Sequence, residues 1–126
     1  MSTDAARAAL PAEIPLADAT FNVARASLLA LGLARQDLAL IARGLEDRIH
    51  QPRREHLYRR SMELLRRARE LGALGGTISG AGPTVLFWVW WEDTGGLVVR
   101  LREEAEGWAD VQRLNFVAHG ADVAAL

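Results

Sequence analysis

The chain has 126 residues, half of them apolar and a quarter charged, with a net charge of −1 and no cysteine. That length supports one domain around one core, and the balanced charge offers no global positive field for nucleic acid or an anionic membrane. Without Cys there is no disulfide framework, thiolate nucleophile or Cys-ligated metal. All fifteen basic residues are Arg, which also excludes lysine Schiff bases and a Walker-type phosphate lysine. Genomic base composition or a thermophilic source explains this bias more simply than function does. No apolar stretch reads as long enough for a membrane span, and Met1 to Pro15 lacks the plan of a signal peptide. The expectation is a cytoplasmic protein without membrane or nucleic-acid partners.

Pro11 and Pro15 mark residues 1–15 as a lead-in segment. From Leu16 the apolar residues Ala19, Val23, Ala26, Ala30 and Leu33 recur every three or four positions, which predicts a helix over 16–33. Asp37 can start a second helix through Leu38, Ile41, Leu45 and Ile49, ended by Pro52. So short a connection predicts antiparallel packing of the two. A third, densely basic helix is predicted over 53–71, with Gly72 as its C-terminal cap. The period then changes. Thr77 and Ile78 enter a glycine loop, and the β-branched and aromatic run Thr84 to Trp91 predicts a buried strand. Asp93 or Thr94 can cap a fourth helix through Ala105, and Val111 to Ala118 reads as another strand. Helices followed by β-loop-β-α-β predict an α+β domain, its helices on one face of a small, mainly antiparallel sheet.

Five of the thirteen residues from Gly72 to Thr84 are glycine. Glycines flanking Ala81 permit positive φ and close approach of backbone N–H groups to an anion, although a tight hairpin would need the same residues. A second group is Asp47, His50, Gln51, Pro52 and Arg54. Arg54 offers a fork of donors suited to carboxylate or phosphate, whereas His50 reads as a dipole-complementing residue at a helix C-terminus and Asp47 as its local contact. Arg7 stands alone among small residues. Asn22 and Arg25 lie one helical turn apart, lining a cleft or facing water.

Four stretches in order, STDAARAALP, NVARASLL, DRIHQPRR and GTISGAGPTVLF, resemble the C-terminal half of the homoserine kinases, members of the GHMP kinase superfamily. The resemblance implies a ferredoxin-like C-terminal domain with extra helices, packed against an N-terminal ATP-binding domain whose phosphate loop has no counterpart in this chain. The chain is therefore expected to be a fragment or truncated reading frame, inactive alone and prone to self-association. By the same resemblance Arg7 and Arg54 hold L-homoserine through its carboxylate, and Ser79, Gly80, Ala81 and Gly82 lie beside the nucleotide-phosphate loop. The implied reaction is phosphoryl transfer from ATP to the homoserine hydroxyl, on the path to threonine. No catalytic base or metal ligand is assigned, and ATP and Mg²⁺ belong to the full-length family rather than to this fragment alone. The sequence departs from the family pattern at Arg53, where an aromatic residue is common, and at Arg59, where Pro is common. Arg59 would let the third helix run through a break that Pro would impose. Two rivals stand beside this reading. One is a non-catalytic amino-acid-binding module derived from the same domain. The other is RNA binding through the Arg-rich third helix, against which the interleaved Glu55, Glu63 and Glu70 argue for an ion-paired, solvated face.

Overall fold

The computed structural model describes residues 3–115, which form six α-helices and one β-hairpin. The expected lead-in is helical: its Ala-rich stretch winds into α1 (Thr3–Ala8), which buries Ala6 completely. Helix α2 (Leu16–Arg35) follows the predicted stripe and stops where Gln36 turns left-handed, its N–H returning to Leu33 O. Asp37 caps α3 (Leu38–Gly44) by accepting from the N–H groups of Ala39 and Leu40. The α2–α3 hairpin is antiparallel as expected, and glycines let its backbones touch. A Cβ on Gly32 would lie 2.7 Å from Ile41 N, and one on Gly44 would lie 2.6 Å from Leu29 N.

The second and third helices differ from the periodic reading. The second helix ends at Gly44 rather than near His50, because the Asp47 carboxylate collects the N–H groups of Ile49, His50 and Gln51. Those bonds start a separate helix, α4 (Gln51–Arg54), with Pro52 in its first turn. The expected third helix is broken as well. A 3-10 turn over Glu55–Leu57 leads into Tyr58 at φ −152° and ψ 65°, after which α5 (Arg59–Arg66) begins. The break thus persists with Arg at position 59. It is set by Tyr58, which turns inward and is only 7% exposed, and Arg59 simply occupies the first helical position beyond it. The helix also ends earlier than expected, at Arg66 with Arg67 as its C-cap, and Gly72, at φ +93°, closes the tight turns that follow rather than capping the helix.

Strands β1 (Gly75–Ile78) and β2 (Val85–Trp88) pair antiparallel, with Gly75 opposite Trp88 and Ile78 opposite Val85. β2 is shorter than the predicted strand and half-buried rather than fully buried. Trp90 and Trp91 lie beyond it, Trp91 71% exposed and in a 3-10 turn that leads into α6 (Thr94–Glu104). Residues 111–115 are not a strand; the rest of that predicted element, 116–118, lies outside the described residues. α5 packs on both strands, and the core joins Leu64, Ala68, Leu71 and Ala73 to Leu97 and Leu101 of α6, with Phe87 and Trp108 at its margin. Arg100 fastens the two halves of this core by donating to Leu71 O at 2.7 Å. The outcome is the expected α+β class, with a two-stranded sheet among the described residues.

By length and composition alone α2 is long and apolar enough to cross a membrane, which corrects the expectation that no stretch reaches that length. The helix touches α3 on one side, and Leu16 and Val23 are exposed on it.

Candidate functional site

Arg54 ends α4, and its side chain bridges two segments remote in sequence. Nε donates to Ala6 O at 3.1 Å and Nη1 donates to Gly80 O at 3.3 Å. The guanidinium therefore lies between α1, one residue before Arg7, and the glycine loop. Arg7 is exposed on α1 and Arg54 is half-buried. These two side-chain bonds join the segments bearing both predicted arginines to the loop.

The loop is closed by the Ser79 N–H donating to Thr84 O at 2.8 Å and the Gly82 N–H donating to Ser79 O at 3.1 Å. Gly80 and Gly82 take φ of +60° and +82°, a region that disfavours side chains. Gly82 also sits on the Tyr58 ring: a Cβ there would come within 2.8 Å of two ring carbons. Ser79 and Gly80 are exposed at the tip, while Ala81 and Gly82 are half-buried. The Tyr58 hydroxyl is buried beside the Arg54 guanidinium. Burial pushes its pKa above the usual phenol value, opposed by the neighbouring charge of Arg54. Sequence reasoning missed Tyr58, since nothing in the basic run around it marks the one residue that turns inward.

Asp47 anchors the other side of α4. Besides three backbone N–H groups it accepts from Asn22 Nδ2, and Asn22 Oδ1 in turn accepts from the Arg48 N–H at 3.0 Å. Burial of Asp47 favours the neutral acid, but the hydrogen bonds outweigh it and hold the carboxyl below its ordinary value. Asn22 is therefore a clamp between α2 and this turn. Arg25 pairs with Glu46 at 3.0 Å and stands over the Phe21 ring, which Arg48 also approaches. His50 is an exposed residue at the start of α4, not the end of a long helix, with Nδ1 3.4 Å from Asp47. Gln51 reaches across to β1, where its Oε1 accepts from the Ile78 N–H at 3.0 Å.

Two of the basic residues beyond the site are ion-paired on α5 and just after it. Arg66 meets Glu55 and Glu63, and Arg67 meets Glu70 and Glu104, as the interleaved glutamates predict. Arg53, at one departure from the family pattern, is exposed. Among the described residues no group of three or more His, Cys, Asp or Glu side chains is placed to hold a metal ion. No metal-dependent step is assigned to these residues.

The α+β domain is one of a kinase class: the family model for the C-terminal domain of GHMP kinases matches residues 29–105. The chain belongs to that family. Within it, the similarity is to homoserine kinases. The chain is 44% identical over 86 residues to homoserine kinase of Moorella thermoacetica and 43% identical over 83 residues to that of Thermus thermophilus. These alignments cover 68% and 66% of this chain but 29% and 28% of the relatives. The crystal structure of homoserine kinase from Cytophaga hutchinsonii superposes with a TM-score of 0.74 at 30% identity, over 82% of this chain and 33% of that one. The chain thus spans less than a third of the length of the relatives it matches.

Proposed function

We propose that this chain is the C-terminal, substrate-binding part of a homoserine kinase, which transfers the γ-phosphoryl group of ATP to the hydroxyl of L-homoserine. The observation that carries the reading is Arg54. Its guanidinium is fixed by carbonyls of α1 and the glycine loop, so it is preorganised for a small carboxylate, and Arg7 on α1 supplies the second charge. The Ser79–Gly82 loop beside it faces the nucleotide phosphates bound by the rest of the enzyme. Phosphoryl transfer depends chiefly on positioning and charge neutralisation, and this chain contributes the positioning of the acceptor. ATP and Mg²⁺ are held elsewhere in the assembled, cytoplasmic enzyme, and the chain alone turns over no ATP.

Calorimetry with L-homoserine tests the reading. Binding to the unsubstituted chain is expected to weaken by about one to two orders of magnitude in Arg54→Ala, since a charge-assisted hydrogen bond contributes about 1.5–3 kcal/mol. After reconstitution with the N-terminal two-thirds of a homoserine kinase, the same change should raise the homoserine KM and leave the ATP KM nearly unchanged. Absence of homoserine binding, or binding indifferent to Arg54→Ala, would refute the assignment.

A further inference from the structure

We propose that Gln51, held in place by Asp47, is a positioning residue that sets the Arg54 guanidinium against the glycine loop. This rests on the reading of Arg54 as the carboxylate ligand and adds a residue that acts through it. The geometry is a two-rung ladder between α4 and the segment that leaves β1. Gln51 Oε1 accepts from the Ile78 N–H at 3.0 Å, and Arg54 Nη1 donates to Gly80 O at 3.3 Å. The rungs are three residues apart on a single helical turn and two apart on the strand and loop. Because the Ser79 N–H points to Thr84 O across the hairpin, the alternating pattern of an antiparallel pair turns the Ile78 N–H to the opposite side. Gln51 meets it there.

The two rungs differ in strength. The Arg54 contact to Gly80 is long, is made at the end of a flexible side chain, and meets a loop whose backbone takes positive φ on both sides of Ala81. The Gln51 contact is shorter and engages the ladder end of a strand. Its own helix is fixed from below, because the Asp47 carboxylate accepts the Gln51 N–H and is clamped to α2 by Asn22. The chain of contacts runs from α2 through Asp47 and Gln51 to Ile78, two residues from the carbonyl that orients Arg54. A small displacement of α4 along β1 would carry the guanidinium with it, and misplacement by about an ångström of a group that orients substrate costs about a hundredfold in rate.

The test follows the Arg54 Nε–H by nitrogen-15 NMR of the full 126-residue chain, with core amides of Leu97 and Leu101 as internal controls of folding. Gln51→Leu removes the acceptor, Gln51→Asn shortens the reach by one methylene, and Gln51→Glu keeps an acceptor oxygen at the same distance. Exchange of the Arg54 Nε–H, which donates to Ala6 O, is expected to accelerate about tenfold in the first two variants and to stay within about threefold of the unsubstituted chain in Gln51→Glu. The core controls should not change. Homoserine affinity should follow the same order. Unchanged Arg54 exchange in both Gln51→Leu and Gln51→Asn, or failure of Gln51→Glu to restore it, overturns the proposal. Homoserine titration keeps the two readings separate: if the unsubstituted chain binds none, Arg54 as substrate ligand fails, and the exchange series alone still decides whether Gln51 positions it.

Discussion

Adding one methyl group at Gly44 sets helix propensity against packing. An ideal Cβ at that position would stand 2.6 Å from Leu29 N and 2.7 Å from Leu29 Cα, where ordinary contact begins at 3.4 Å, so α3 must retreat from α2 by 0.8 Å. The obstructing atoms are backbone and cannot rotate away. Overpacking of this kind costs about 1–3 kcal/mol, while replacing a helical Gly by Ala returns at most about 1 kcal/mol, and less at the last residue of α3. The expected net loss for Gly44→Ala is about 1–2 kcal/mol, read as a fall in Tm of about 3–10 °C for a domain of this size. Gly95→Ala is the control. Gly95 lies in the first turn of α6 with nothing within 4 Å of an added Cβ, so the substitution should leave stability unchanged or raise it by up to about 1 kcal/mol. Urea and thermal unfolding followed by circular dichroism measure both. If Gly44→Ala proves as stable as Gly95→Ala, the backbone contact between α2 and α3 is not as close as described.

The glycine loop and Asp47 give further expectations. At Gly80, where the space is open, alanine should cost only the left-handed backbone term of about 1–2 kcal/mol; at Gly82 it must also displace the Tyr58 ring, so Gly82→Ala should be the more destabilising in urea unfolding, and equal effects would argue against Tyr58 as the floor of the loop. Asp47 has a folded-state pKa below its unfolded value of about 3.9. Its stabilisation is therefore fully present above about pH 4 and lost as pH falls through the folded value. Asp47→Asn should be less stable than the unsubstituted chain at pH 7, by about 1–3 kcal/mol, with the gap narrowing as pH falls below about 4; a gap that does not change with pH down to the lowest pH at which the chain stays folded would show that the carboxylate charge is not what the Ile49, His50 and Gln51 amides require.

Periodicity located α2 and α6 well because their boundaries depend on local signals, an apolar stripe in one and a polar start in the other. It failed where a side chain competes with the helix. The spacing of Leu38, Ile41, Leu45 and Ile49 carries no trace of the Asp47 carboxylate gathering three amides, although Asp is the residue type that does so. Nor does the basic run from Arg53 to Arg60 reveal that Tyr58 turns inward, since that depends on Gly82, which lies 24 residues later in the chain. The candidate site was legible in part. Arg54 and the Ser79–Gly82 loop stood out through resemblance to a family, but the partners that orient Arg54 are the main-chain carbonyls of Ala6 and Gly80, and a carbonyl has no residue type to be recognised by.

The α2–α3 hairpin is joined to the remainder of the molecule in an unusual way for its length. Within α2 only Gly32 is buried, and that glycine faces α3. Contacts between the hairpin and the chain that follows it include the Asn22–Asp47 bond, the Arg25–Glu46 and Arg48–Asp18 pairs and the approach of Leu45 to Gly75. Polar joints of this kind exchange readily with water and weaken with salt, whereas the Leu64–Leu97–Leu101 core does not depend on them. Opening of the hairpin is therefore expected to cost less than global unfolding. Hydrogen exchange should place the α2 amides in a faster class, sensitive to ionic strength, and the α6 amides in a slower one.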